Sequence, residues 1–165
     1  MRGRRSMNDL SQYVTLGVDH EVFAIPVSKV QEILDMRQIA RLPHAPGYLL
    51  GLIDVRGHSV PVIDLRRKLG LPAIEPTANS RILVLEVTIE ARPLRLGLLA
   101  DRVFEVTGLD EDKVDPSPEI GQQWRSDCIL GIGRRRGAFV IIFDIASLIA
   151  NDVPALVMPE ASLAA

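Results

Sequence analysis

The stretch Gly51-Leu-Ile-Asp-Val-Arg-Gly-His-Ser-Val-Pro-Val-Ile-Asp-Leu65 returns later in the chain as Gly131-Ile-Gly-Arg-Arg-Arg-Gly-Ala-Phe-Val-Ile-Ile-Phe-Asp-Ile145. Gly51/Gly131, Arg56/Arg136, Gly57/Gly137, Val60/Val140 and Asp64/Asp144 align without a gap. Each copy reads as a strand, an Arg-Gly turn, a second strand, and a short helix capped by an aspartate. A second pair of segments precedes these in the same order. Lys29-Val-Gln-Glu-Ile aligns with Arg102-Val-Phe-Glu-Val, matching Val30 to Val103 and Glu32 to Glu105. A unit this size, occurring twice, predicts two small β barrels of like topology.

Working outward, short Val-, Ile- and Leu-rich runs continue the pattern at 13–18, 22–25, 30–36, 49–55, 59–63, 81–88, 94–98, 103–107, 129–132 and 139–143. Each is of strand length, and turn-forming Gly, Pro, Asp and His residues separate them. Helix is confined to Leu65–Leu69 after Asp64, closed by Gly70 and Pro72, and to Ile145–Ala150 after Asp144. The expected fold is mostly β, with two five-stranded barrels. Residues 11–80 are expected to form the first and 81–150 the second, joined through the Pro- and Thr-containing connector 71–80. Residues 1–10 read as a disordered basic arm and 151–165 as a flexible tail.

Composition excludes several classes. Of 165 residues, 47% are apolar and 24% charged, enough for a packed core. The formal charge is −2, so no whole-chain excess recruits a polyanion, and nucleic acid is not an expected partner. Cys128 is the only cysteine and cannot close an internal disulfide. No apolar run approaches the roughly 20 residues of a membrane span. The basic start lacks the continuous apolar stretch of a signal peptide, so a cytoplasmic protein is expected.

Candidate chemistry fares poorly. Gly131-Ile-Gly133 followed by Gly137 has the glycines of a phosphate loop, but a strand follows where a helix N-terminus is needed. The acidic stretch 110–119 places Asp115 and Gly121 where a calcium loop starting at Asp110 needs Gly and Glu, so it reads as a solvated loop with a helical turn at 109–113. His20, His44 and His58 stand apart beside turns without metal-ligand spacing. Ser59, Ser126 and Cys128 have no local nucleophile signature, and lone Trp124 reads as packing. Asp64 and Asp144 read as helix caps, and Arg56 taken by itself reads as a solvated turn charge. No catalysis, metal or cofactor is expected.

Residues 49–71, with an apolar strand, Arg56-Gly57, Val60-Pro-Val-Ile-Asp-Leu-Arg66 and a helix ended by Gly70, resemble the signature of the CheW family. The resemblance extends through Phe23-Ala-Ile-Pro-Val-Ser-Lys-Val-Gln-Glu-Ile-Leu34, Arg41-Leu-Pro43 with Pro46, Leu96-Gly-Leu-Leu-Ala-Asp-Arg-Val103, and 131–149, covering about residues 11–150. It implies two SH3-like barrels around a shared apolar layer. It also implies a non-catalytic adaptor joining the cytoplasmic tip of chemoreceptors (methyl-accepting chemotaxis proteins) to the regulatory domain of the histidine kinase CheA. The positions matching the family's receptor groove are Val30, Glu32, Gly51, Arg56 and Gly57, with the two glycines expected to permit close backbone approach. The kinase-binding residues are left open.

This sequence departs from the family pattern at Ala45-Pro-Gly-Tyr48, where a bulkier apolar lead-in is common, and at the basic run Arg134–Arg136. Competing readings are a coupler for pili or surface signalling, a regulatory subunit of another enzyme, and a small nucleic-acid binder using Arg134–Arg136. The last lacks the interleaved exposed aromatics that base stacking requires.

Overall fold

The computed structural model describes residues 12–110 and 128–150. Its strands are β1 (Gln12–Val18), β2 (Glu21–Pro26), β3 (Val30–Asp35), β4 (Leu49–Val55), β5 (His58–Asp64), β6 (Arg81–Ile89), β7 (Arg92–Ala100), β8 (Arg102–Gly108), β9 (Ile129–Arg135) and β10 (Ala138–Phe143). A 3-10 turn covers Val27–Lys29, and the helices are α1 (Leu65–Lys68) and α2 (Ile145–Ile149). The ten expected strands are all present. The helices end slightly sooner than expected because Leu69 and Ala150 serve as C-caps. The arm 1–10, the tail 151–165, Ser126, Trp124 and most of the acidic stretch lie outside the described residues.

The strands form two sheets, ordered β8-β1-β2-β10-β9 and β3-β6-β7-β5-β4. Replacing each strand by its counterpart five positions along the chain converts one order into the other. Each sheet has one parallel pair, β2 with β10 and β5 with β7, and these are counterparts too. The repeat therefore governs topology as well as sequence.

The sheets do not follow the expected division at residue 80. The hairpin β1–β2 pairs with β8 and β10 from the second half, whereas β6–β7 pairs with β3 and β5 from the first. A cut at 80–81 would divide both sheets. The correction has a plain cause: hairpin periodicity fixes which strands exist, but the same pattern serves pairing within a repeat or exchange between repeats.

Three apolar clusters account for the strand sequences. One lines the concave side of the second sheet, with Ile53, Val55, Val60, Val62, Ile82 and Val84. Tyr13, Ala24, Val140 and Ile142 play that part in the first sheet. The third and largest lies between the sheets and draws on both, including Leu16, Ile25, Leu83, Leu85, Leu98 and Phe143. There Phe23 and Phe143 stack with centroids 4.7 Å apart. In β6, Ile82 and Val84 face one cluster while Leu83 and Leu85 face the other, which is why Ile82-Leu-Val-Leu85 is apolar without alternation. Burying each such side chain contributes roughly 1.5–3 kcal/mol.

The hairpins β4–β5 and β9–β10 share their irregularities. Leu49 pairs Ile63 and Gly51 pairs Val62, skipping Leu50. Ile129 pairs Phe143 and Gly131 pairs Ile142, skipping Leu130. The turns match as well: Arg56 and Gly57 have φ of 52° and 84°, and Arg136 and Gly137 have 53° and 80°. Two successive positive φ values are those of a type I′ turn, whose twist suits a two-residue hairpin. Asp64 accepts a hydrogen bond from the Arg66 N–H, and Asp144 from the Ser147 N–H, so both predicted caps form.

Candidate functional site

Glu32 lies on β3 and Arg56 at the tip of the β4–β5 hairpin, at opposite edges of one sheet. Curling of the sheet brings them together: Arg56 Nη2 is 3.2 Å from Glu32 Oε1. The closure is carried by backbone, since Ala40 and Leu52 exchange two N–H to carbonyl bonds of 2.8 Å. Arg37, between them, donates to the Asp54 carbonyl at 3.2 Å. The Arg56 side chain is 80% exposed and that of Glu32 28%, so the pair presents a largely hydrated guanidinium with most of its donors uncommitted.

The other candidate positions serve the scaffold in distinct ways. Val30 is half-buried and packs against the layer between the sheets. Gly51 has φ of 148°, and a Cβ there would lie 2.1 Å from the Ala40 carbonyl oxygen. Its missing side chain is therefore used by the chain's own closure strand. Gly57 has open space around it, and its N–H donates to Asp54 Oδ1 at 2.8 Å. Glu32, Arg56 and Gly57 form one surface; Val30 and Gly51 stand behind it as packing.

The second repeat builds a related site with different residues. Glu105, the counterpart of Glu32, pairs with Arg135 at 3.0 Å and with Arg136 at 3.9 Å. The Arg135 hydrogen bond, foremost, and the two guanidinium charges hold its carboxyl below the usual value. Arg134 replaces Asp54 and cannot accept from the turn. Asp110 does so from outside the hairpin, taking the Arg136 and Gly137 N–H groups at 2.8 and 2.9 Å. Those bonds hold its carboxyl below the usual value as well. Arg134 instead lies over Phe139, 4.9 Å from the ring centroid.

Sequence reading gave no role to Arg66, which is 8% exposed and rivets the two sheets. From α1 it reaches Asp101 at 2.7 Å, Asp19 in the β1–β2 turn of the other sheet at 3.5 Å, and the Pro72 carbonyl at 2.8 Å. Asp101 also accepts the Asp19 N–H at 2.8 Å. Nothing local separates Arg66 from exposed Arg67. Only the helical phase after Asp64, turning Leu65 and Arg66 inward, could have signalled it. The carboxyl of Asp64 itself is raised, burial outweighing its bonds from the helix.

The three histidines are exposed, and Cys128 is buried, its carbonyl accepting the Asp144 N–H at 2.9 Å. Among the described residues no group of His, Cys, Asp and Glu could hold a metal ion, and no helix is long and apolar enough to cross a membrane.

Two interwoven five-stranded sheets around a common apolar layer, with charged hairpin tips outside, define a β-barrel scaffold of the adaptor type. The CheW-like domain family matches residues 12–153, and the chain belongs to that family. It is 26% identical to the chemotaxis protein CheW of Rhizobium meliloti, over 86% of this chain and 88% of that one. With the probable chemotaxis protein CheW of Rhizobium etli it shares 31% identity over 73% and 76% of the two chains. The crystal structure of the scaffolding protein TtCheW from Thermoanaerobacter tengcongensis superimposes with a TM-score of 0.74 at 26% identity, covering 84% of this chain and 92% of that one.

Proposed function

We propose that this protein is a non-catalytic coupling protein of bacterial chemotaxis, joining the cytoplasmic tips of chemoreceptors to the regulatory domain of the histidine kinase CheA. The observation that carries this reading is the family match over 12–153, which takes in both sheets and the layer between them. The protein works on the cytoplasmic face of the membrane and reaches the receptor array through its partners. Its contribution is geometric: a rigid body offering one surface to the receptor and another to the kinase.

The receptor surface is centred on Arg56, with Glu32 and Gly57 beside it and Val30 and Gly51 fixing the strands beneath. An exposed guanidinium with free donors can engage a carboxylate or the terminal carbonyls of a helical tip, while Glu32 holds its orientation. The reading is tested by co-purification of the full chain with a receptor cytoplasmic fragment and with the CheA regulatory domain, each alone and together. Capture of both, with a ternary complex, is expected. Failure to retain either partner sinks the coupling assignment.

A further inference from the structure

A cavity of about 440 Å³ opens between the connector from β3 to β4 and the segment that follows α1. Its apolar wall is formed by Ile39, Leu50, Ile74 and Leu99, and three arginines, Arg37, Arg41 and Arg67, also line it. Ile74 is 49% exposed and belongs to none of the apolar clusters, so its side chain is free to cover a ligand. The volume falls in the range of small-ligand pockets, roughly 300–1,000 Å³.

The guanidinium groups are far from saturated. Arg37 makes its one bond to the Asp54 carbonyl, and Arg67 meets Asp64 through Nε alone at 3.4 Å. Arg41 has no hydrogen-bond or ion-pair partner among the described residues. Two carboxylates also line the cavity. Asp64 already accepts the Arg66 N–H and faces Arg67, and Glu75 is exposed. Three cations thus face two anions, one of which is already engaged. Planar guanidinium forks suit carboxylate oxygens, and the apolar wall suits a hydrocarbon body.

We infer that this cavity is a binding site for a small carboxylic acid with an apolar body, the carboxylate held by Arg41, whose guanidinium is uncommitted among the described residues, and the hydrocarbon laid on Ile39, Leu50 and Ile74. A volume within the small-ligand range, with apolar and cationic lining together, suits a small amphipathic anion. The site excludes Arg56 itself, although Arg37 on its wall bonds to Asp54 beside that hairpin tip, and it does not depend on the coupling reading.

The test is a titration of the full, isotope-labelled chain with octanoate, followed by amide NMR, with 1-octanol and acetate as controls. Octanoate is expected to give saturable shifts at Ile39, Arg41 and Ile74, and neither control should do so at the same concentrations. Arg41→Gln, in an exposed connector, should leave the spectrum folded and raise the dissociation constant about tenfold or more. The inference is overturned if octanoate produces no saturable shift there, if octanol binds equally well, or if Arg41→Gln binds octanoate unchanged. Shifts from a glutamate-bearing apolar peptide but not from octanoate would assign the cavity to a partner's side chain and equally overturn it.

Discussion

Arg66 and Asp101, on α1 and at the β7–β8 junction, meet at 2.7 Å where the two sheets adjoin, and Asp19 from the other sheet closes on both. A nearly buried guanidinium held by two carboxylates and a carbonyl fixes how the sheets lie on one another. Removing Asp101 leaves the guanidinium only the longer 3.5 Å contact with Asp19 and the Pro72 carbonyl.

Asp101→Ala should therefore cost about 2–4 kcal/mol of folding stability, somewhat under the value for a fully buried pair because Asp101 keeps some solvent contact. Urea denaturation of the variant beside the parent protein measures it. A loss under about 0.5 kcal/mol, the range of ordinary surface changes, would show that the rivet does not hold the sheets.

Two glycines of the inherited site should separate sharply. Gly51→Ala places a methyl against the Ala40 carbonyl at a φ that side chains rarely adopt, and should cost about 3 kcal/mol or more. Gly57→Ala meets open space at a turn φ and should cost about 1 kcal/mol. Thermal melts of both variants decide the matter, and equal losses would contradict the assignment of Gly51 to barrel closure.

Arg56→Ala should leave folding nearly intact, since an exposed pair with Glu32 is worth about 0.2–1 kcal/mol. Receptor binding should weaken by about 2 kcal/mol, roughly thirtyfold, while binding of CheA is unchanged. Calorimetry with a receptor fragment and with the kinase domain reads the two effects. Normal receptor binding by a folded variant would remove Arg56 from the site.

Asp110 gives the acid response a definite sign. Its carboxyl is lowered from 3.8 chiefly by the Gly137 and Arg136 N–H groups. A lowered folded value stabilises above the ordinary one and ceases to do so as pH falls through the lowered one. The stability difference between the parent protein and Asp110→Asn should therefore be constant near neutrality and shrink on acidification. Denaturation curves at a series of pH values test this, and a difference independent of pH would exclude the mechanism.

Much of this architecture was legible because it is written locally. Short apolar runs between turn residues marked the strands, Asp64 and Asp144 marked the helix starts, and the matched Arg-Gly pairs placed both hairpin turns. Sheet membership was not legible, since Leu16 or Leu83 is apolar whichever strand lies beside it. Glu32 and Arg56 were named through the family resemblance, and their contact depends on a curl stabilised by the Ala40–Leu52 bonds, a pairing outside the hairpins. Arg66 escaped for the same reason. Its partners Asp19 and Asp101 are distant in sequence and ordinary in kind.

The exchange of hairpins has a consequence for ancestry and for dissection. A single repeat, with its β1–β2 hairpin turned away from its own β3, β4 and β5, cannot complete a sheet. Two separate copies could do so by lending hairpins to each other, giving the two strand orders seen here. The protein is, in effect, an intertwined dimer whose subunits have been joined into one chain. Residues 12–80 produced alone should accordingly be recovered as a dimer or as unfolded chain, and size-exclusion chromatography with circular dichroism would reveal a folded monomer if this account of its origin were mistaken.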